Sequence, residues 1–120
     1  MTASRRVLVV DDAELARKTL LAVLYRAGYE ARATGSIADA EHEIETWHPD
    51  CVLLDRRLPD GDGVEIAGSW RGQSWRASLR VVLMSGDPFS EDALAVADGV
   101  LLKPVGARAV INAVEAALAN

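Results

Sequence analysis

The sequence predicts a doubly wound α/β domain, a five-stranded parallel sheet with five helices on its two faces in a three-layer sandwich. Three observations point there. Apolar runs ending at Val10, Leu54 and Met84 are hydrophobic at consecutive positions, as strands buried on both faces are. Amphipathic stretches of helical period lie between them. Each run then stops at a polar residue, as parallel strands do where they deliver side chains to one sheet edge. With 120 residues there is room for one sizeable core and no second, so residues 1–120 are expected to form a single domain.

Taken in order, Arg6–Val10 is the first strand and breaks into Asp11-Asp12. Between Ala13 and Ala27, the residues Ala16, Leu20, Val23, Leu24 and Ala27 recur at the spacing of a helix laid on a sheet, and Gly28 offers its C-terminal cap. Tyr29–Thr34 is a weaker second strand. Ser36 caps a helix running to about Trp47, with Ile37, Ala40 and Ile44 on one face, and His48-Pro49-Asp50 ends it. The Cys51 strand stops at Asp55 and gives way to a Pro- and Gly-rich loop reaching Gly63. Val64–Trp70 is a helix stopping near Gly72, and Leu79–Met84 is the next strand, ending in Ser85-Gly86-Asp87. Ser90-Glu91-Asp92 caps a short helix through about Val96. Val100–Leu102 is a brief strand ending at Lys103-Pro104, and Ala107–Leu118 a final helix with Val110, Ile111, Val114, Ala117 and Leu118 on its stripe. Five β-α units in series require right-handed crossovers lying on both sheet faces.

Composition narrows the function. Half the residues are hydrophobic and 26% are charged, an ordinary globular balance. A net charge of -5 disfavours nonspecific attraction to nucleic acid or anionic membrane, and no helix-turn-helix remains once the β-α units are assigned, so no direct nucleic-acid binding is expected. The single cysteine, Cys51, sits in an apolar run, fits a reducing compartment and reads as a buried side chain. No stretch approaches the ~18 apolar residues of a membrane span, and Met1–Arg6 lacks a signal peptide's apolar region. A cytoplasmic protein without membrane insertion is expected.

Four strands finish in polar groups: Asp11-Asp12, Asp55, Ser85 and Lys103. In a parallel sheet these ends share one edge and converge on one pocket. Two unit charges about 4 Å apart interact by roughly 4 kcal/mol at an effective dielectric near 20, so three clustered carboxylates need compensation. Lys103 offsets one, and a divalent cation is the natural remainder, with an all-oxygen site suiting Mg2+ rather than zinc. A metal, a lysine and a hydroxyl around one carboxylate suit a phosphoryl group's oxygens while the carboxylate attacks phosphorus in line. The pattern suggests phosphorylation of Asp55.

In these residues the chain resembles the CheY-like receiver domain of two-component response regulators, a flavodoxin-type winding. The matching pieces are Leu8-Val9-Val10-Asp11-Asp12, Leu54-Asp55 with Pro59 and Gly63, Met84-Ser85-Gly86 and Lys103-Pro104. The resemblance covers nearly all of the chain. It implies that Asp55 is the phosphoacceptor, and that Asp12 directly and Asp11 through water hold Mg2+ with Asp55 and the backbone carbonyl of Arg57. It also implies that Ser85 hydrogen-bonds the phosphoryl group, that Lys103 pairs with it and that the Lys103-Pro104 bond is cis. The implied donor is a histidine kinase or histidine phosphotransfer protein, and the implied output passes to a downstream protein or attached domain. Such a domain phosphorylates itself and turns over no external metabolite.

The chain departs from the family's pattern in two places. Where the family usually carries an aromatic residue three before the lysine, this chain has Val100, which has no ring and a stiff χ1. The interval from Ser85 to Lys103 is short by about one helical turn, which trims the fourth helix. Arg57 and Asp87 border the expected phosphoryl position, can pair across it and are candidates for tuning phosphoryl lifetime through water access. Asp60-Gly61-Asp62-Gly63 is only faintly like a calcium loop and reads as a turn. His42 and His48 occupy ordinary helix-face and pre-proline positions. Trp70, Arg71, Trp75, Arg76 and Arg80 form an aromatic-basic segment, either partly core with solvated arginines or a partner surface. Three alternatives stand beside the switch: a receiver-like interaction domain that no longer switches, an aspartyl-nucleophile phosphohydrolase, and a flavin module. The Asp-x-Asp of haloacid dehalogenase-type hydrolases is absent, because residue 13 is Ala, and Asp11-Asp12-Ala13-Glu14 is too acidic to cradle a flavin phosphate.

Overall fold

The consecutive apolar runs become the middle of a sheet with no solvent-facing side. The computed structural model describes residues 4–73 and 78–119. Among them the elements are β1 (Arg6–Val10), α1 (Glu14–Arg26), β2 (Glu30–Thr34), α2 (Ile37–Trp47), β3 (Cys51–Asp55), β4 (Arg57–Leu58), β5 (Gly61–Asp62), α3 (Gly63–Arg71), β6 (Arg80–Ser85), α4 (Glu91–Val96), β7 (Gly99–Leu102) and α5 (Ala107–Ala119). The main sheet is parallel throughout, in the order β2-β1-β3-β6-β7. Strand order therefore reverses between β1 and β3, and a crevice opens outside the carboxyl ends of the strands at such a point.

Alternate residues of each central strand feed two separate cores, one on each sheet face, where the chain length alone suggested a single one. Leu8, Val10, Val52, Leu54, Val81 and Leu83 pack with Ile37, Ala40 and Ile44 of α2, Ala67 and Trp70 of α3 and Ala93 of α4. Val7, Val9, Leu53, Val82 and Met84 pack on the opposite face with Leu20 and Leu24 of α1 and Val110, Val114 and Ala117 of α5. Each fully buried valine or leucine contributes roughly 1.5–3 kcal/mol relative to exposure, so the three central strands dominate the core. Cys51 lies in the second core, where burial, reinforced by the charges of Asp98 and Asp50, pushes its thiol up to about 12. It is a packing residue.

Local chemistry closes the elements. The Ser36 hydroxyl accepts from the Asp39 amide at 3.2 Å, and the Ser90 hydroxyl from the Ala93 amide at 3.4 Å. Gly28 follows α1 at φ 94, a conformation glycine adopts without a Cβ penalty, and His48 ends α2 at φ 57. Two expectations need correction. Ala27, assigned to the α1 stripe, is the exposed C-cap, and Leu21 packs against the core instead. The stretch after Asp55, expected as an irregular loop, contains an antiparallel hairpin of β4 and β5 with Arg57 opposite Asp62. Trp70 is a core residue, 1% exposed, whereas Trp75 and Arg76 lie outside the described residues. No helix among the described residues is long and apolar enough to cross a membrane.

Candidate functional site

The edge predicted for the polar residues is where the structure gathers them. Asp55 ends β3, Ser85 ends β6, and Lys103 follows β7, its amide donating to the Ser85 carbonyl at 2.8 Å. Asp11 follows β1 with its amide donating to the Thr34 carbonyl of β2 at 3.1 Å. Parallel registry sets Asp11 level with Asp55, with Ser85 one residue and Lys103 two residues farther along the same edge.

Asp11 is fully buried and held on every side. Its Oδ1 accepts from the Ala13 amide at 3.0 Å, its carbonyl oxygen accepts from Arg17 Nη1 at 2.8 Å, and its Oδ2 meets Lys103 Nζ at 3.0 Å. The same ammonium reaches Asp55 Oδ2 at 3.1 Å. One lysine therefore bridges two buried carboxylates, where the residues alone suggested that it would offset one. Asp55 is 8% exposed. Burial pushes its carboxyl above the usual value against the hydrogen bond and charge of Lys103, and the charges of Asp11 and Asp12 add to the rise. Partial burial works against the Lys103 ammonium, but its hydrogen bonds to Asp11 and Asp55 and their charges outweigh that, and its pKa lies above the usual value.

Asp12, next along the chain, is exposed and lines a pocket of about 350 Å³ with Asp55, Arg57, Ser85, Asp87 and Lys103. Asp11, Asp12 and Asp55 each offer a carboxylate oxygen, all within 4.8 Å of one another. Three hard oxygen donors carrying more negative charge than Lys103 can balance fit an oxygen-preferring divalent cation. The Ser85 hydroxyl accepts from the Asp87 amide at 3.0 Å, which occupies a lone pair and leaves the O–H to donate. Above it Arg57 Nη2 pairs with Asp87 Oδ2 at 3.0 Å, so the two rim residues do meet across the pocket. The Lys103-Pro104 bond is cis.

Three residues that build the site had no role there assigned from the sequence, although Gly63 belongs to the motif around Asp55. Gly63 opens α3 directly against the Asp55 backbone, and a Cβ there would run into the Asp55 carbonyl oxygen. Asp62 caps α3, its Oδ1 accepting from the Val64 amide at 2.7 Å, a role its position just before an apolar helix could have announced. Asp60 accepts from the Ile37 and Ala38 amides at 2.9 and 3.0 Å and so ties the hairpin beside Asp55 to the start of α2. Those amides lower its carboxyl below the usual range.

Residues 7–115 match the response regulator receiver domain. The chain belongs to that family. The receiver is 34% identical over 107 residues to adventurous-gliding motility protein Z of Myxococcus xanthus, covering 83% of this chain and 8% of that protein. It is 32% identical over 103 residues to the virulence transcriptional regulatory protein PhoP of Salmonella choleraesuis, covering 82% of this chain and 45% of that one. It thus spans less than half the length of either relative. Among solved structures, the chemotaxis protein CheY4 of Vibrio cholerae superposes with a TM-score of 0.88 at 25% identity, covering 97% of this chain and all of that one. Both the five-stranded doubly wound fold and the resemblance read from the strand-end motifs are thereby established, and the chain is a receiver domain of two-component signalling.

Proposed function

We propose that this receiver domain is a phosphorylation switch that accepts a phosphoryl group on Asp55 from a histidine kinase or histidine phosphotransfer protein. The single observation that carries this is the Lys103 ammonium within hydrogen-bond distance of Asp55 at the floor of a pocket that also holds Asp12 and Ser85. An Asp55 carboxylate oxygen attacks phosphorus, the bond from phosphorus to the donor's imidazole nitrogen breaks, and the electron pair stays on that nitrogen. Asp55 then carries an acyl phosphate. Lys103, already charged and poised at Asp55 Oδ2, pairs with the new phosphoryl oxygens, and the Ser85 hydroxyl donates to another. Asp12, Asp55 and the Arg57 carbonyl would hold Mg2+, with Asp11 acting through water. Bound there, the ion would neutralise charge developing on the phosphoryl oxygens.

The exposed Arg57–Asp87 pair lines the pocket and, in this reading, limits the approach of hydrolytic water. Val100 is half-buried on β7 in the apolar cluster that also holds Phe89, Val96 and Ala97, so any response at α4 proceeds without a ring at position 100. At six residues, α4 is as short as the sequence suggested. The output passes to a downstream protein or an attached domain. The activity is that of a phosphoacceptor turning over no external metabolite, in a cytoplasmic setting compatible with a buried free thiol.

Intact mass after incubation with acetyl phosphate, with and without Mg2+, tests this beside Asp55→Asn. One magnesium-dependent phosphoryl group on the wild type and none on the variant is expected. No gain, or the same gain on Asp55→Asn, removes Asp55 as acceptor and leaves a non-switching interaction domain.

A further inference from the structure

Of the four hydrogen bonds that fix Asp11, the one from Lys103 comes from a residue lining the pocket and the other three involve residues outside it. Arg17, in the first turn of α1, donates from Nη1 to the Asp11 carbonyl oxygen at 2.8 Å. Its guanidinium lies against Gly35, where a Cβ would stand 3.1 Å from Nη1 and 3.8 Å from Cζ. One side chain thereby spans α1, the end of β1 and the turn after β2. The carbonyl it holds belongs to the peptide that joins Asp11 to Asp12. That peptide is planar, so fixing its oxygen, with the Asp11 amide already fixed on Thr34 at 3.1 Å, orients the N–Cα bond from which Asp12 departs.

We propose that Arg17 is a positioning residue for the metal site, aiming the Asp12 carboxylate toward Asp55 through the Asp11-Asp12 peptide, with Gly35 keeping the room its guanidinium needs. This rests on the assignment of Asp12 and Asp55 as Mg2+ ligands. Asp12 is exposed and its neighbour is buried, so its direction depends on the main chain behind it. The sign of the effect separates positioning from simple charge. As a cation near the acidic cluster Arg17 repels a metal ion, so removing it for charge reasons alone tightens Mg2+ binding. As a strut it does the opposite.

The test is a titration of the 15N-labelled protein with MgCl2, following backbone amide shifts at Asp12 and Asp55, together with thermal melts in metal-free buffer. Arg17→Ala is expected to weaken Mg2+ binding about tenfold, the lower end of what lost supporting hydrogen bonds cost metal sites. Arg17→Lys keeps the charge without the planar fork and should fall between wild type and Arg17→Ala. Gly35→Ala leaves Arg17 in place but forces its guanidinium to give by a few tenths of an ångström, so binding should weaken by a smaller factor. Binding by Arg17→Ala as tight as wild type or tighter overturns the proposal, as does a lower melting temperature with unchanged affinity. If Arg17→Ala does not fold, unchanged affinity in both Arg17→Lys and Gly35→Ala overturns it. Wild type that leaves the Asp12 and Asp55 amides unshifted defeats the metal assignment itself, and the role of Arg17 with it.

Discussion

The floor and the rim of the same pocket are built on opposite principles. At the floor, Asp55 is buried and shares one lysine with Asp11, which is buried outside the pocket lining, and main-chain bonds tie both into the sheet. At the rim, Arg57 and Asp87 form a single ion pair whose side chains are 80% and 62% exposed. A buried charge cluster is strongly coupled to its partners, because loss of one leaves the others unpaired in a poor solvent for charge. An exposed pair is screened by water and contributes little to stability. The floor is therefore where structure is held, and the rim is free to control access without risk to the fold.

Lys103→Met attacks the floor most directly. Two buried carboxylates lose their common cation, and the expected loss at neutral pH is about 3 kcal/mol, at the low end for a broken buried pair because the Lys103 side chain is 32% exposed. Denaturant melts at pH 7 and near pH 4 check it, since protonating Asp55, whose carboxyl lies above its usual value, should restore part of the difference. In the wild type, the Lys103 contribution is fully present below the lysine's unfolded pKa and is lost as pH rises through the higher folded value. Asp55, with its folded value raised, works against stability once it ionises, so its cost is relieved as pH falls through that value.

Gly63→Ala comes next. The added methyl would strike a backbone oxygen that cannot rotate away, so about 2 kcal/mol of stability should be lost as α3 shifts off the Asp55 strand. Urea titration reads the loss. A variant as stable as wild type would show that the floor tolerates movement and would weaken its contrast with the rim.

Asp60→Ala has a smaller effect, sharpened by its pH dependence. A carboxyl held below its usual value stabilises the fold above its unfolded pKa, and that contribution disappears as pH falls through the folded value. The melting temperatures of Asp60→Ala and wild type should differ at pH 7 and converge in strong acid.

Arg57→Ala should be the mildest for the fold, under about 0.5 kcal/mol. Its effect belongs to chemistry: loss of acyl phosphate, followed by intact mass after removing the donor, should be faster than in wild type. Equal rates would remove the rim's gating role, and a large loss of stability would erase the distinction between rim and floor.

Most of the fold was legible because its signals are local. A strand buried on both faces needs a continuous apolar run, and β1, β3 and β6 have one. A helix packed on a sheet needs a stripe, and α2 buries Ile37, Ala40 and Ile44 as its spacing requires. The two-residue strands of β4 and β5 are too short to show any period. Ala27 had the right spacing for burial, but the chain turns at Gly28 before the residue meets the sheet.

The sequence by itself determined which residues end the strands, and hence that Asp11, Asp12, Asp55, Ser85 and Lys103 meet at one edge, because parallel strands have a common polarity. Only the tertiary structure decided how the work is divided among them. Asp11 and Asp12 are adjacent acids of the same kind, yet one is buried against Lys103 and the other is exposed at the pocket. Asp60 holds helix amides 22 and 23 residues away, and Arg57 finds Asp87 across 30. Such pairings depend on distances between elements, and those are set by how helices pack on the sheet, to which no local pattern along the chain corresponds.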